Sequence, residues 1–153
     1  MKNKLISACV FLALLGSSLA LADDAADVRA TIERHYAAIH ANDMDSIISH
    51  HLEDFTIFPP DGGVLFESDW AEVLERMGAT IDFPALNVRM TNFNAQIYDN
   101  VALATFYLAG TVTHGGKTRN ITNRVSAVWV KSGSEWKEAH HHESPLLSGS
   151  RKH

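Results

Sequence analysis

Ionisable side chains are concentrated near the end of the chain, in the segment Trp136–Pro145. Three consecutive histidines, His140 to His142, lie there between the glutamates Glu138 and Glu143. Imidazole titrates near neutral pH and a neighbouring carboxylate can orient it, so a His–Glu pair can transfer protons. Imidazole is also a common metal ligand. The segment could therefore support acid/base chemistry or metal binding.

We predict that this segment is the last β-strand, ended by Pro145. Successive side chains of a strand point to opposite faces. One face then carries Trp136, Glu138, His140, His142 and Ser144, and the other carries Lys137, Ala139, His141 and Glu143. His141 and Glu143 are two residues apart on one face and can meet as an acid/base pair. His35, on the first predicted helix, could add a third polar group.

A specific metal site is not expected. Two histidines at i and i+2 of a strand can share a metal, but zinc needs three or four ligands. His114 lies in a Gly-rich turn, and His50 and His51 end a predicted helix, so no third ligand is evident. We predict no resident metal or other cofactor, and only adventitious capture of nickel or zinc by the three consecutive histidines.

The N-terminal segment 1–22 has the pattern of a secretory signal peptide. Lys2 and Lys4 precede an apolar run, and a small-x-small site ends at Ala22, after which cleavage is expected. The single cysteine, Cys9, lies inside this segment. The mature protein is therefore expected to be periplasmic or secreted, without a membrane anchor and without disulfides.

Length and charge narrow the class of protein. A chain of 153 residues is long enough for one domain with a core, which we place at 23–147 and follow with a flexible tail at 148–153. The formal net charge is -5, and no run of basic residues occurs outside the ends of the chain. This balance argues against nucleic acid as a partner.

The first half of the domain is predicted to be mainly helical. Apolar residues at helical spacing, with capping residues before two of the helices, predict three N-terminal helices, over 23–41, 44–51 and 68–78. Asn42-Asp43 can cap the second helix and Ser68 the third. A short strand, Phe55–Phe58, lies between them and is followed by a Pro- and Gly-rich turn.

The second half has the two-residue period of β-strands. Three turns divide it into a four-stranded antiparallel meander, so the fold class is α+β. In its first strand the apolar parity switches between Met90 and Phe93, as a β-bulge would cause. The next strands are apolar on both faces, so both faces need a cover. The helices can cover one face, and a second subunit is the predicted cover for the other.

Three segments in this order resemble the nuclear transport factor 2-like superfamily. They are Tyr36–Asp45 at the first helix junction, Phe58–Gly62 after the short strand, and Trp136–Pro145. The resemblance covers about residues 25–147 and is closest to SnoaL-like members and to the association domain of calcium/calmodulin-dependent kinase. It implies a cone-like, bent sheet packed on three helices, a pocket between the first helix and the concave face, and usually a dimer. Relatives of this fold include isomerases, cyclases, dehydratases and non-catalytic modules.

The catalytic groups of ketosteroid isomerase, a relative by this resemblance, are not kept. Its phenolic donor falls at His35, and its two carboxyl groups fall at Pro59 and Ala127, so we do not expect that activity. The pocket arginines of the kinase association domain fall at Tyr107, Ala127 and Glu143, so its ligand preference does not transfer. The same matching places His141 and Glu143 on the pocket face, with His140, His142 and Trp136 opposite.

The leading function is the binding of a small hydrophobic or aromatic molecule. The candidate pocket residues are Tyr36, Phe58, Trp70, Tyr107, Ala127 and Trp129. The first alternative is a cofactor-independent isomerase, hydratase or cyclase that uses His141, Glu143 and His35. The second alternative is a homo-oligomeric assembly module whose sheet face matters more than its pocket.

Overall fold

The computed structural model describes residues 4–67 and 86–147, with side chains from residue 23 onward. Two helices precede a six-stranded sheet. The helices are α1 (Lys4–Ala41) and α2 (Met44–Ser49), and the strands are β1 (His51–Phe58), β2 (Phe66–Glu67), β3 (Leu86–Tyr98), β4 (Val101–His114), β5 (Lys117–Ser132) and β6 (Glu135–Pro145). The third predicted helix and the predicted tail lie outside the described residues. No helix in the described part is long and apolar enough to span a membrane.

The predicted four-stranded meander is confirmed. Its strands, β3 to β6, are neighbours and extend to one edge of the sheet. The strand order is β2-β1-β6-β5-β4-β3, with antiparallel pairing from β3 through β6. Strand β1 adds to β6 in the parallel direction. The last strand of the chain is therefore an interior strand, and its side chains lie near the middle of the sheet.

Bulges in the described strands change which side chains face inward. The register of β3 against β4 shifts between Thr91 and Asn94, which confirms the bulge predicted from the parity switch. Asn92 has a positive φ of 53° at this point. A second bulge lies in β6, where Val128 pairs with His140 and Trp129 pairs with Glu138, so that Ala139 is the extra residue.

The bulge at Ala139 corrects the predicted faces of the last strand. His141 and Glu143 lie opposite His140 and His142, as expected. However, Trp136 and Glu138 share the face of His141, because the extra residue reverses the alternation at that point. Both are buried, at 3% and 2% exposure. The simple two-residue period had placed them with His140.

The inner face of the sheet packs against α1. Val28 and Ile32 of the helix are fully buried against a cluster of inward-facing strand residues, which includes Ala104, Phe106, Val125, Ala127, Trp129 and Trp136. Lys131 of β5 pairs with Asp24 of α1 at 2.5 Å and ties the helix to the sheet. The predicted apolar stripe of the first helix is thus confirmed, although the helix begins at Lys4 and not at Asp23.

The segment between α1 and β1, which includes α2, determines the position of His51. Asn42 ends α1 in the left-handed region, with a φ of 56°, and Asp43 caps α2 by accepting a hydrogen bond from the backbone N–H of Ser46. Helix α2 ends at Ser49, two residues earlier than predicted. His51 is therefore the first residue of β1 and lies beside β6.

Candidate functional site

A buried carboxylate, Glu138, lies at the centre of the inner face. Its side chain is 2% exposed. One oxygen, Oε1, lies 2.9 Å from Nδ1 of His141, and the other, Oε2, lies 3.3 Å from Nε2 of His51. The bulge at Ala139 makes the first contact possible, since Glu138 and His141 are three residues apart and would face opposite ways in a regular strand.

The contacts continue from His141 to the next inward residue of β6. Nε2 of His141 lies 3.4 Å from Oε2 of Glu143. Asn123 of β5 donates an amide hydrogen bond to Oε1 of Glu143 at 2.5 Å and holds this carboxylate in place. We call His51, Asn123, Glu138, His141 and Glu143 the Glu138 cluster. It connects three adjacent strands of the sheet.

The orientation of His51 is set by the end of α2. Its Nδ1 donates a hydrogen bond to the carbonyl oxygen of Ile47 at 2.6 Å. Its Nε2 is then directed toward Glu138. The ring also packs edge-on against Phe55, with centroids 4.3 Å apart. A backbone hydrogen bond from Glu138 to the carbonyl of His50 fixes the two strands beside each other.

His35 of α1 is buried next to the Glu138 cluster. Its ring centroid lies 4.9 Å from that of His51 and 5.6 Å from that of His50. Nδ1 of His35 is buried and has no hydrogen-bond partner within the described residues. Tyr36 contacts the His35 ring and Phe106 edge-on, at centroid distances of 5.4 Å and 6.2 Å. The helix therefore adds both a histidine and a phenol to this region.

The buried charges stabilise one another. Burial alone would raise the pKa of Glu138, but His141 and His51 outweigh it and hold this pKa below its usual range. Burial would also lower the pKa of His141, but Glu138 and Glu143 more than offset it and raise the pKa to about 10. At neutral pH the cluster thus combines an imidazolium with ionised Glu138.

The side chains of His35 and Tyr36, both on α1, are neutral at neutral pH. Burial lowers the pKa of His35 to about 3, and the neighbouring histidines act in the same direction. Burial raises the pKa of Tyr36 well above its ordinary value, and Glu143 and Glu138 raise it further. The helix therefore presents a neutral imidazole and a neutral phenol to a charged strand.

Comparison with protein-family models gives a match to the SnoaL-like domain over residues 28–148. The matched range contains the whole Glu138 cluster. The chain belongs to the SnoaL-like family. Comparison with curated proteins gives no significant match.

Solved structures of nuclear transport factor 2-like proteins share the fold of this SnoaL-like domain. A candidate dehydratase of that family from Streptomyces avermitilis is 19% identical, with a TM-score of 0.72, and the match covers 82% of this chain and 98% of that chain. The association domain of calcium/calmodulin-dependent kinase II from C. elegans is 20% identical, with a TM-score of 0.68 and coverage of 82% and 98%. A nuclear transport factor 2-like protein of unknown function from Pseudomonas putida KT2440 is 18% identical, with a TM-score of 0.69 and coverage of 86% and 93%. At these identities the likeness concerns the fold.

The predicted catalytic residues lie in one region of the SnoaL-like domain, but the central residue was not among them. His141 and Glu143 face inward as a pair, and His35 is buried nearby. Glu138 and His51 lie between these residues, because Glu138 contacts His141 and His51, and the His51 ring packs near the His35 ring. Glu138 was not predicted as a site residue, because the regular alternation of a β-strand places it on the face of His140. No local signal was available, because the residues around Ala139 are mostly histidine and glutamate and give no hydrophobic pattern that would reveal the bulge.

The predicted pocket residues do not form one lining. Ala127 and Trp129 lie inside the packed core, at 0% and 1% exposure, and Tyr36 packs against that core. Tyr107 pairs with Arg124 on the outer face. Phe58 is 41% exposed and also lies on the outer face, because the register of β1 places it beside His142. Trp70 lies outside the described residues.

His140 and His142 lie on the outer face and away from the Glu138 cluster. Nδ1 of His140 lies 2.7 Å from Oγ1 of Thr56, and both imidazole rings contact Phe58 edge-on. Burial lowers the pKa of His140, with His141 and His142 acting in the same direction. The run of three histidines is therefore divided between two faces with different surroundings.

Proposed function

We propose that this SnoaL-like domain binds a small, mostly apolar molecule that presents an oxygen atom to His141. The observation that carries the proposal is that carboxylates lie at both ring nitrogens of a buried histidine whose strand partner, Ala127, belongs to the apolar core. Apolar side chains supply most of the surroundings, and a few convergent polar groups fix the orientation of a ligand. This combination is typical of small-molecule sites.

Structural stability alone is a weak reason to retain such a cluster. Removing ionised groups from water costs several kcal/mol per ion, and well-packed apolar residues often replace a buried ion pair without loss of stability. Strongly shifted pKa values of buried groups are concentrated at functional sites. The Glu138 cluster combines a buried ion pair with the shifted pKa values of Glu138 and His141.

The two contacts of His141 differ in strength. The 2.9 Å contact to Glu138 has hydrogen-bond length, whereas the 3.4 Å contact to Glu143 is longer than a normal N–H···O bond. A ligand oxygen can replace Glu143 as the acceptor of the Nε2 proton at small cost. Glu138 then orients the ring, and Nε2 is the donor that selects a carbonyl or hydroxyl group.

The second candidate function is proton transfer, and the proximity of His141 to Glu143 favours it. In a dehydration, Glu143 would remove a proton next to a carbonyl while His141 protonates the departing hydroxyl group, so that water leaves and a double bond forms. The proton on Glu143 then returns to Nε2 of His141 across their 3.4 Å contact. An isomerisation needs the same two groups. One similar structure is described as a candidate dehydratase.

Export and dimerisation complete the proposal. Export rests on the signal-like pattern of residues 1–22 and on expected cleavage after Ala22, which would make the protein periplasmic or secreted. Dimerisation rests on the outer face, where Leu103, Tyr107 and Val128 are only half-buried. Similar structures include an association domain and hub domains of calcium/calmodulin-dependent kinase II.

Native mass spectrometry of the untagged protein tests the binding function. We expect the wild type and His140→Phe to retain an additional small-molecule mass, and His141→Phe to lose it. His140→Phe is the matched control because it makes the same substitution on the outer face. A mass that remains in His141→Phe and is lost in His140→Phe would contradict the proposal. So would a bare wild type that also shows no saturation transfer to a panel of aromatic alcohols and ketones.

Deuterium incorporation from D2O into the bound molecule tests the catalytic candidate. We expect the wild type to incorporate deuterium at carbon, and Glu143→Gln to bind the same molecule without doing so. Equal incorporation by both proteins would remove Glu143 from this role.

A further inference from the structure

We propose that His35, His51 and the Oε2 atom of Glu138 bind one divalent transition-metal ion, with zinc as the best match. The proton-transfer scheme uses Oε1 of Glu138 and the ring of His141, and it gives no role to His35 or to Nε2 of His51. Together with Oε2 of Glu138, these two histidines supply possible metal ligands from three elements, α1, β1 and β6. The proposal concerns metal binding itself and does not depend on the proposed small-molecule function.

The spacing of the three donors fits one ion. One donor atom from each residue lies within 4.8 Å of the other two, and all three residues are buried. Nε2 of His51 and Oε2 of Glu138 are 3.3 Å apart. Zinc bonds to nitrogen and oxygen are about 2.0–2.2 Å long, so two donors on one zinc lie roughly 3–4 Å apart. A small displacement of the His35 ring would bring all three donors into this range.

Contacts with neighbouring groups orient two of the three proposed metal ligands, His51 and Glu138. Nδ1 of His51 donates to the carbonyl of Ile47, which leaves a lone pair on Nε2 when the ring is neutral. Oε1 of Glu138 contacts His141, which leaves Oε2 directed toward His51. Metal-binding histidines usually donate their other ring N–H to a carbonyl or carboxylate, and metal-binding carboxylates are themselves hydrogen-bonded. Both features are present here.

His35 gives an independent indication that a ligand belongs at this place. Its Nδ1 is buried and has no hydrogen-bond partner within the described residues. Buried polar atoms without partners are uncommon in folded proteins, and each calls for an explanation such as an ion or a water molecule. A metal ion bound between the histidines and Glu138 would account for the clustering of these three polar side chains in the buried interior.

The donor set selects the class of metal. Two imidazoles and one carboxylate suit zinc and other divalent transition metals, whereas magnesium and calcium prefer oxygen ligands throughout. Three protein ligands also leave one position of a tetrahedral zinc for water or a ligand oxygen. No metal was expected from the sequence, because His50 and His51 were placed at the end of a helix and His114 in a turn, which left no third ligand beside His140 and His142. The bulge at Ala139 brings Glu138 to His51 and changes the set of available ligands.

Metal binding is best measured on the untagged full chain in a His140→Ala/His142→Ala background, which removes adventitious capture on the outer face. After treatment with a chelator, ZnCl2 is added and retained zinc is measured by inductively coupled plasma mass spectrometry after gel filtration. We expect one zinc per chain. His35→Phe and Glu138→Gln should each weaken zinc binding by more than about 100-fold. Loss of a group that only orients a metal ligand costs up to about 100-fold in affinity, and loss of the ligand itself should cost at least as much.

Further controls keep the result interpretable. Glu143→Gln leaves all three donors intact and should keep its zinc, even though it lacks the proposed base of proton transfer. Circular dichroism checks that His35→Phe is folded, and CoCl2 binding to the background protein should give a visible spectrum typical of a tetrahedral site. Zinc that is lost in the background variant, or that binds equally well to folded His35→Phe, would overturn the proposal.

Discussion

Glu138 contacts a histidine with each of its two oxygens, and both histidines come from parts of the inner face that are closed to solvent. A carboxylate this deeply buried is tolerated only because its charge is compensated. Burial raises its pKa, but the two histidines outweigh burial and lower it. Glu138 therefore depends on its partners, and the partners depend on Glu138.

Replacing Glu138 by alanine is expected to lower the free energy of unfolding by about 3–5 kcal/mol, because the change leaves an uncompensated buried imidazolium. Urea unfolding followed by tryptophan fluorescence measures this quantity. Glu135→Ala is the control, since Glu135 is exposed at the start of the same strand and should change stability by less than about 0.5 kcal/mol. Similar losses in the two variants would show that Glu138 is not held as described.

Strand β6 was predicted with nearly correct bounds, but only half of its facing pattern could be predicted. In β3, apolar residues on both sides of the bulge reveal the change of parity, because Met90 and Phe93 must both reach the core. In β6 the residues on both sides of Ala139 are mostly histidine and glutamate. These side chains do not indicate which face is buried, so the bulge leaves no mark on the hydrophobic pattern.

Helix α2 depends on its first residue. The Asp43 carboxylate accepts hydrogen bonds from the hydroxyl and the backbone N–H of Ser46, at 2.6 Å and 3.1 Å, and these bonds lower the pKa of Asp43. This short helix also holds His51, through the carbonyl of Ile47. The sequence indicated a cap at Asn42-Asp43, because Asn and Asp are both preferred N-cap residues, and the structure identifies Asp43 as the N-cap.

The cap gives the stability a defined pH dependence. The pKa of Asp43 is lower in the folded protein than in the unfolded chain, so its contribution is present above the unfolded pKa and is lost as the pH falls through the folded pKa. Asp43→Asn keeps a capping oxygen but cannot titrate in this range. We expect the wild type to have the higher urea midpoint at pH 7, and the difference to shrink as the pH falls below the ordinary pKa of an aspartate, about 3.9. A difference that is unchanged at low pH would contradict this account.

At the scale of the whole molecule, the parallel pairing of β1 with β6 joins distant parts of the chain. This pairing brings His51 next to Glu138 and so completes the Glu138 cluster. Hairpins between neighbouring strands can be predicted from turns, which explains why the meander was predicted from the sequence. No local signal indicates which later strand will accept β1, so the role of His51 required the tertiary structure.

The outer face of the sheet is expected to be a dimer interface. Ser126 is exposed near the middle of this face, next to half-buried apolar residues of β4 and β5. Ser126→Arg should convert a dimer into a monomer, because it would place an unpaired charge inside the interface. Light scattering coupled to gel filtration measures the mass. Ser134→Arg, in the exposed turn before β6, is the matched control and should remain dimeric.

A monomeric wild type would contradict the dimer prediction, as would a Ser126→Arg variant that stays dimeric. Neither result would affect the Glu138 cluster, which lies on the inner face.

The coupling between Glu138 and His141 is the most direct test of the account, because both the ligand-binding and the proton-transfer role proposed for this site require the two side chains to act together. A double-mutant cycle with Glu138→Gln and His141→Gln, measured by urea unfolding in the presence of a chelator, gives their interaction energy. We predict a coupling of at least about 1 kcal/mol. The cycle of Glu138→Gln with His142→Gln on the outer face should be additive within about 0.5 kcal/mol. Additivity in the first cycle would mean that the two groups do not meet, and it would contradict the site at its centre.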